Sequence, residues 1–401
     1  MAAAGRAGLS HEEVAFLMAH EFTYPPVLNA LKRAIDRGVD VKIVHEAGKK
    51  KVKGAMVDTE ATKSAKKAIK AAGLPAGSLI KRTKRSKIPH NKFIVRLKKG
   101  TIPSAVWTGS TNFTPSGFLG QTNVGHRIDD EAVANKFLAY WNLLAKDPTP
   151  DDRKKAVEDL SPTPRGVNDQ GITSIFSPRT TPKMLEWYAE RIRAAEHTVM
   201  FTGGFGVSDV LAPAFAEDRD FLRFILLEKP PRSKTKLLLG DDRDLILVYG
   251  NVLGEAYRKN KKGELTLRRK IPGFELTRWF LEEEHYRKFG NIFFIHTKLM
   301  LVDPLSDDPL VFTGSANFSD DSLLDNDENM VLIRRDTRVA DIYLTEFDRI
   351  LRHFHFRNIA AETSDGGGSG SAVFLKETPE EWQWRYFREG EFKDRRRRMF
   401  F

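Results

Sequence analysis

Cysteine is absent from this chain of 401 residues. Its absence excludes disulfide bonds and thiolate metal sites, and it is compatible with a reducing compartment. No apolar run reaches the length of about 18 residues that a membrane-spanning helix needs, and the start of the chain has no apolar segment of signal-peptide length. We therefore expect a cytoplasmic protein without a membrane span.

Short motifs for common cofactors are absent as well. The sequence contains no zinc-binding pair, no HExxH and no glycine-rich phosphate loop, so we expect neither a metal nor a cofactor. The composition is typical of a globular protein, with 41% hydrophobic and 30% charged residues. A chain of this length can form two domains with real cores.

Acidic residues are scarce in one part of the chain. Residues 49–100 contain 17 Lys or Arg and two acids, a net charge of +15, whereas the whole chain carries +11. Such a segment attracts polyanions through long-range attraction and counterion release. Its densest run approaches His90 and supplies candidates for binding substrate phosphate: Lys81, Arg82, Lys84, Arg85 and Lys87. A solvated face that aids solubility is the alternative interpretation.

A pattern of polar residues occurs twice inside apolar segments. The first copy contains His90, Lys92, Ser110 and Asn112, and the second contains His296, Lys298, Ser315 and Asn317. The spacing from His to Ser is 20 positions in the first copy and 19 in the second. Packing does not explain such a repeat, so we interpret it as two halves that each supply part of one active site.

The residue types of this pattern suit phosphate chemistry. Residues i and i+2 of a strand project from one face, so each Lys lies beside its His. The Ser hydroxyls and Asn amides can donate hydrogen bonds to phosphate oxygens. Two such sets could hold a phosphodiester without a metal. One His would attack phosphorus, while the other would protonate the leaving oxygen and then activate water.

The sequence pattern predicts an α/β protein with an internal duplication. Strands are expected at 14–23 and 40–44 around a helix at 25–37, which predicts a parallel βαβ unit. We predict four regions: a first half at 1–150, a Pro-rich linker at 151–170, a second half at 171–360 and a C-terminal region at 361–401. In the last region we expect 365–371 to be flexible and the aromatic residues of the basic tail to pack on the body.

The pattern His-x-Lys-x4-Asp, followed by Gly-Ser-x-Asn and then Glu, resembles that of the phospholipase D superfamily. The second copy is complete, because it also contains Asp303 and Glu328. In the first copy Leu97 takes the place of the Asp and Thr122 that of the Glu. A His without its carboxylate is less fixed in tautomer and less stabilised as imidazolium, so we expect the two halves to be unequal.

The resemblance covers most of residues 14–355 and implies both fold and mechanism. It implies two tandem α/β sandwich domains related by pseudo-twofold symmetry, with one shared active site. It also implies metal-independent catalysis through a phosphohistidine. We assign His90 as nucleophile and His296 as acid and base, while the inequality of the two copies is also compatible with the reverse roles. The residues that it implies to be catalytic are His90, Lys92, Asn112, His296, Lys298, Asp303, Asn317 and Glu328, with Ser110 and Ser315 binding phosphate. The first expected strand begins near residue 14, which is compatible with a truncated N-terminus.

Three functions are compatible with these observations. The +15 segment favours a nuclease acting on DNA or RNA. A phospholipase D or phosphatidyl transferase is the second, because anionic membranes also attract basic patches. The third is a nucleic-acid-binding protein without catalysis, in which Leu97 and Thr122 indicate an active site that has lost its acidic residues. The partner is therefore expected to be nucleic acid or phospholipid, and the oligomeric state stays open.

Overall fold

The computed structural model describes residues 14–19, 21–84, 87–167, 171–240, 242–250, 257–259, 265–267, 294–365 and 378–400. At residue 14 and within 257–259, 265–267 and 359–365 it describes the backbone alone. Among the described residues, none of the helices combines the length and the apolar character that a membrane crossing requires.

The first half of the chain alternates strands and helices. Its strands are β1 Val14–Ala19, β2 Asp40–Glu46, β3 Lys49–Val52, β4 Ala55–Asp58, β5 Leu79–Arg82, β6 Lys92–Lys98, β7 Ile102–Gly109 and β8 Gly125–Ile128. Its helices are α1 Pro25–Asp36, α2 Glu60–Ala71, α3 Pro115–Leu119, α4 Glu131–Ala145 and α5 Pro150–Leu160, with a 3₁₀ turn at Ala76–Ser78.

Local sequence explains where these helices begin. Proline occupies the first positions of α1, where its missing N–H has no intrahelical acceptor. The side chains of Thr59 and Asp130 cap α2 and α4 by accepting hydrogen bonds from backbone N–H groups. The buried face of α1, which includes Leu28 and Leu31, packs with Leu17 of β1 in the core of the first half.

The first sheet confirms the expected βαβ unit. Its order is β5-β2-β1-β6-β7-β8. Strands β1, β2 and β5 are parallel, whereas β6, β7 and β8 continue the sheet in antiparallel pairs. The strands β3 and β4 lie outside this sheet and form a two-stranded antiparallel ribbon of their own.

The second half repeats this plan. Its strands are β9 Gly171–Ser177, β10 Thr198–Gly203, β11 Leu222–Leu227, β12 Leu245–Tyr249, β13 Tyr257–Lys259, β14 Leu265–Leu267, β15 Leu299–Val302, β16 Leu310–Gly314 and β17 Glu328–Arg334. Its helices are α6 Lys183–Arg193, α7 Ala212–Ala216, α8 Ser233–Leu239 and α9 Thr337–Asp365, with a π-helical turn at Asp321–Asp325. The C-terminal helices are α10 Pro379–Trp382 and α11 Phe392–Arg398, with a 3₁₀ turn at Gln383–Tyr386 between them.

The order of the second sheet matches that of the first. It runs β12-β11-β10-β15-β16-β17-β9, so its first six strands correspond one by one to β5-β2-β1-β6-β7-β8. The parallel and antiparallel pairs around β10 also correspond to those around β1. The α/β fold with two repeated halves, expected from the two motifs, is therefore confirmed.

The described chain divides into two compact units, and each contains residues from both halves of the sequence. The first consists of 1–119, 123–187 and 312–333, and the second consists of 120–122, 188–311 and 334–401. The exchanged segment 312–333 contains Ser315, Asn317 and Glu328 of the second copy, and the segment 120–122 follows Asn112 of the first copy. The division into domains expected from the sequence stays a prediction.

Two regions differ locally from their expected structure. The Pro-rich segment 151–170 contains most of α5, because Pro150 is compatible with a first helical position and Thr149 caps the helix. The tail aromatics Trp382, Trp384 and Phe387 are 41%, 43% and 61% exposed, so the expectation that they pack on the body is wrong. Arg385 lies over the ring of Trp384, and Arg397 lies over that of Phe387. The flexible stretch expected at 365–371 lies, after Asp365, outside the described residues.

Candidate active site

The two His-x-Lys pairs have the same local structure. His90 lies just before β6 and Lys92 begins it, while His296 and Lys298 directly precede β15. The Lys92 ammonium donates a hydrogen bond to the carbonyl oxygen of His90, and Lys298 donates to that of His296 at 2.6 Å. All four residues are buried. Each pair therefore holds a cation beside an imidazole in a poorly solvated place.

His90 has a carboxylate partner from the second copy of the pattern. Its Nδ1 lies 2.9 and 2.8 Å from the two carboxylate oxygens of Glu328, and Asn326 donates to the same carboxylate at 3.3 Å. A hydrogen bond donated from Nδ1 fixes the tautomer in which Nε2 carries the lone pair of a base or nucleophile. The expectation that His90 lacks a carboxylate, because Leu97 replaces the Asp, was wrong: Glu328 supplies one.

Backbone pairing within the first unit brings Glu328 to His90. Asp327 and Pro89 form a parallel β-bridge, in which the Asp327 N–H donates to the Ile88 carbonyl at 3.1 Å. The residues that follow His90 and Glu328 are also joined, because Asn329 donates to the side chain of Asn91 at 2.7 Å. The His90–Glu328 pair is thus held by a main-chain bridge on one side and by a hydrogen bond between two side-chain amides on the other.

The hydrogen bond between Asn329 and Asn91 belongs to a buried network of hydrogen bonds. Asn91 donates to the Tyr140 hydroxyl at 3.1 Å, and Tyr140 donates to the carbonyl oxygen of Ser177 at 2.6 Å. The hydroxyl of Thr108 donates to the side-chain oxygen of Asn329. Buried polar groups that are satisfied in this way define one arrangement of the segments that contain them.

The corresponding bridge in the second unit corrects the alignment of the two copies. Thr122 donates its N–H to the Phe294 carbonyl at 2.7 Å and accepts from the His296 N–H at 3.2 Å. Thr122 therefore occupies the place of Asp327 rather than that of Glu328. The expectation that Thr122 replaces the Glu is wrong by one residue.

Asn123 takes the place of the glutamate in the first copy. Ser110 and Ser315 each receive the N–H of a residue 14 positions later, Val124 and Asn329, so Val124 matches Asn329. The Asn123 side chain accepts from Ser110 at 2.8 Å and donates to the Gly117 carbonyl at 2.9 Å. Because an amide carries no charge, this position cannot stabilise an imidazolium as a carboxylate does. The halves are unequal, as expected, but at Asn123.

The two serines connect strands. The Ser110 hydroxyl contacts Asn123 and Val124, and the Ser315 hydroxyl accepts from the Asn329 N–H at 2.9 Å. Both serines are fully buried. These contacts favour a structural role, in contrast to the phosphate binding expected from the sequence.

The glycine before each serine permits this close approach. A Cβ on Gly109 would lie 2.2 Å from the Val124 carbonyl oxygen, and one on Gly314 would lie 2.3 Å from that of Asn329. Since both obstacles are backbone atoms, a side chain at either position would separate neighbouring strands.

The two asparagines retain hydrogen-bonding capacity. Asn112 donates to Glu21 at 2.8 Å. The side-chain oxygens of Asn112 and Asn317 are buried and have no hydrogen-bond partner in the described part of the chain. Buried polar groups without a partner are uncommon. Because the unpartnered atom of each amide is an oxygen, it can accept a hydrogen bond from a ligand but cannot donate one. Glu21 was missed by sequence reasoning, although an acid within an apolar segment was a signal.

Asp303 contacts backbone only. Its carboxylate accepts from the N–H groups of Glu196, His197 and Thr198 at 2.9, 2.7 and 2.8 Å. These bonds hold the turn after β15 against the start of β10, and Asp303 itself has a left-handed φ of 47°. The contacts support a structural role, whereas the sequence placed Asp303 among the catalytic residues.

The basic run beside His90 is divided between surface and interior. Lys81, Lys84 and Lys87 are exposed, and Lys87 pairs with Asp321 at 2.6 Å. Arg85 lies outside the described residues. Arg82, expected to bind substrate phosphate, is fully buried and forms ion pairs with Asp147 and Asp327. Its guanidinium therefore belongs to the interior of the first unit.

Comparison with known proteins agrees with this geometry. Residues 8–144 and 214–351 each match the family described as cardiolipin synthase, PLD-like domain, and together they cover more than half of the chain. The chain belongs to the phospholipase D superfamily. Members of this superfamily act on phosphodiester bonds as phosphodiesterases or transferases. No curated protein matches the sequence.

Solved structures of the superfamily share the fold at low identity. Polyphosphate kinase from Porphyromonas gingivalis is 11% identical, with a TM-score of 0.54, over 87% of this chain and 44% of its own. Phosphatidylserine synthase from Haemophilus influenzae is 12% identical, with a TM-score of 0.52, over 86% of this chain and 81% of its own. The chain thus spans less than half of the length of the kinase.

The first phospholipase D motif contains a lysine with an unusual acidity. Burial lowers the pKa of Lys92 to about 7, against the opposing attraction of Glu328 and Glu21. A lowered pKa means that the ammonium form predominates below about pH 7 and is lost as the pH rises through that value. Only the charged form attracts a phosphate strongly.

The pH profile tests this lysine. We expect kcat/KM to fall as the pH rises through about 7, because the free enzyme loses the Lys92 charge. Arginine stays protonated throughout this range, so the Lys92→Arg protein should lack this basic limb even if its maximal rate is lower. Initial rates between pH 5 and 9 on bis(4-nitrophenyl) phosphate provide the measurement, because its nitrophenolate leaves without a proton from His296 and the basic limb then reports on Lys92. A basic limb that persists unchanged in Lys92→Arg would contradict the assignment.

One acidic cluster in the described chain is close enough to suit a cation. The carboxylates of Asp218, Asp242 and Asp244 approach one another in the second unit. However, Asp242 pairs with Arg223 at 2.5 Å and Asp244 pairs with Arg395. Because guanidinium groups already neutralise two of the three carboxylates, the cluster is better explained by ion pairing than by metal binding.

Proposed function

We propose that this phospholipase D superfamily protein is a phosphodiesterase that cleaves nucleic acid through a covalent phosphohistidine, without a metal. The observation that carries the proposal is the buried His90–Glu328 pair, with Lys92 beside it. A carboxylate on Nδ1 raises the basicity of the opposite nitrogen and stabilises the positive charge that the ring acquires. Nε2 of His90 is thereby prepared to attack phosphorus.

The first proposed step transfers the phosphoryl group to the enzyme. The Nε2 lone pair of His90 forms a bond to phosphorus, and the bond to the leaving oxygen breaks with its electron pair. His296 donates a proton to that oxygen. The ammonium groups of Lys92 and Lys298 would neutralise the phosphate oxygens, and the Nδ2–H groups of Asn112 and Asn317 would donate to them.

The second step returns the enzyme to its starting state. His296, now neutral, takes a proton from water, whose oxygen attacks phosphorus while the P–N bond to His90 breaks. The two steps require opposite protonation states of His296, which the first step itself provides. Glu328 keeps its bond to Nδ1 throughout and fixes the orientation of the ring.

Charge supports nucleic acid as the substrate. The +15 segment at 49–100 includes His90, and Lys81 and Lys84 of its basic run are exposed. Cations along the path to a phosphodiesterase site bind a polyphosphate backbone, which carries a charge at every nucleotide. A single small phosphodiester would have no use for this extended charge.

Incubation with labelled single- and double-stranded DNA and RNA in excess EDTA tests the proposal. We expect the wild-type protein to cleave at least one of these substrates and the His90→Ala protein to cleave none. Cleavage that EDTA abolishes would contradict metal independence. Vesicles of phosphatidylcholine with anionic lipid form a parallel arm. Turnover of lipid without any cleavage of nucleic acid would replace the nuclease by a lipid enzyme, and binding without turnover would indicate a non-catalytic protein.

A further inference from the structure

The ribbon formed by β3 and β4 carries a dense and accessible positive charge. Its two strands of four residues pair Lys49 with Asp58 and Val52 with Ala55. Lys49, Lys50, Lys51 and Lys53 are all exposed. In the described part of the chain, the ion pairs of this region use Lys63 and Lys66 of α2, and those four lysines are not among them.

The lysines lie on both faces of the ribbon. Because side chains alternate along a strand, Lys49 and Lys51 project from one face and Lys50 from the other. Lys53 occupies the two-residue turn with Gly54, where both residues have positive φ values of 48° and 89°. Two successive left-handed residues are typical of the tight hairpin turn that follows the natural strand twist.

The base of the ribbon is attached to the body of the first unit. The Thr59 N–H and the Thr62 hydroxyl donate to the Gly48 carbonyl at 3.2 and 2.9 Å. Asp58 pairs with Lys66 of α2 at 2.5 Å. These bonds attach the start of β3 and the end of β4 to the first unit, so the ribbon is held at its base.

We propose that this basic ribbon, residues 49–58, enters the major groove of duplex DNA and holds it for the catalytic residues. The inference rests on the proposed nuclease function and deepens it. A strand of four residues is about 13 Å long, and two paired strands are about 5 Å apart. The major groove of B-form DNA is about 12 Å wide and about 8.5 Å deep and admits a two-stranded ribbon.

The distribution of charge favours a groove over a membrane surface. Both walls of a groove carry phosphates, which complements lysines on two opposite faces and at the tip. A lipid surface lies on one side only, and the exposed apolar residues here, Val52 and Met56, are small compared with the aromatic anchors of membrane interfaces. Lysine contacts to phosphate neutralise charge without reading bases, so we expect binding without strong sequence preference.

The test compares two variants that lose the same charge. The ribbon variant combines Lys49→Gln, Lys50→Gln, Lys51→Gln and Lys53→Asn, the last because Asn tolerates a left-handed φ. The control variant replaces four exposed lysines elsewhere by Gln: Lys136, Lys183, Lys229 and Lys234. Binding of a labelled DNA duplex is measured against salt concentration, and hydrolysis of bis(4-nitrophenyl) phosphate reports on the catalytic residues alone.

We expect the ribbon variant to bind duplex DNA about 10- to 1,000-fold more weakly, with the slope of log affinity against log salt reduced by about 3 to 4. The control variant should keep a near-wild-type slope, and both should hydrolyse the small substrate normally. Wild-type protein should also prefer a DNA duplex to an RNA duplex, whose major groove is narrow, and the ribbon variant should lose that preference.

The outcomes separate this inference from the proposed function. A ribbon variant with wild-type affinity and slope would overturn the inference while nuclease activity stood. Weakened binding to anionic vesicles, with DNA binding intact, would overturn it in favour of a membrane partner. A wild-type protein that neither binds nor cleaves nucleic acid would overturn both, whereas normal cleavage of single strands with no duplex binding would overturn the inference alone.

Discussion

The His296→Ala protein is expected to release nitrophenolate from bis(4-nitrophenyl) phosphate in one rapid burst and then turn over about 10²- to 10⁴-fold more slowly than wild type. Nitrophenolate leaves without protonation, so the first step does not need His296 as an acid. The second step still needs it to activate water. The covalent adduct on His90 should therefore accumulate, with a burst equal to the amount of enzyme.

The His90→Ala protein provides the matched comparison. It should show no burst, because no nucleophile is present, and its steady rate should fall by about four to six orders of magnitude. Stopped-flow absorbance measures the burst, and intact mass after an alkaline quench detects the phosphoramidate, which acid removes. A burst and an adduct in His90→Ala, with neither in His296→Ala, would show that the two histidines have the opposite roles.

Replacing Asp327 by alanine is expected to lower the free energy of unfolding by about 3 to 5 kcal/mol. Asp327 is 1% exposed and lies 3.1 Å from Arg82 and 2.9 Å from Arg153, both of which are fully buried. Without its carboxylate, two guanidinium groups would stay in the interior with less compensation, and Arg82 would keep Asp147. The main chain of Asp327 forms the β-bridge that places Glu328 beside His90, so a shift of this segment should lower activity as well.

Urea unfolding followed by tryptophan fluorescence measures this loss. The control is Asp321→Ala, which removes an ion pair with Lys87 in which the two side chains are 65% and 51% exposed. Solvent screens such a pair, so we expect a change below about 1 kcal/mol. Equal urea midpoints for Asp327→Ala and wild type would show that the buried cluster does not stabilise the first unit.

Part of this protein could be predicted from pattern alone. Apolar periodicity predicted the helix at 25–37, within one residue of the observed ends of α1, and the strands on either side of it. These signals are local, because strand and helix periodicity depend on neighbouring residues. The repeat of His90-x-Lys92 and His296-x-Lys298 was equally visible, since both members of each pair lie within three residues. That the two motifs share one active site stays a prediction.

Other features depend on residues far apart in sequence. Glu328 and His90 are 238 positions apart, and their pairing follows from a β-bridge that no local pattern encodes. The position of Asn123 could be read from hydrogen bonds of Ser110 but not from aligning similar letters. Arg82 looked like one more surface cation, although its partners Asp147 and Asp327 bury it.

The sequence by itself determined the superfamily and the two repeated α/β halves, because the same spaced pattern occurs twice. Only the tertiary structure decided that Glu328 pairs with His90, that Asp303 accepts from backbone N–H groups, and that Lys49–Val52 and Ala55–Asp58 pair as a basic ribbon. The physical reason is that hydrogen bonds, burial and charge pairing depend on distances in space, and the chain order does not specify these distances.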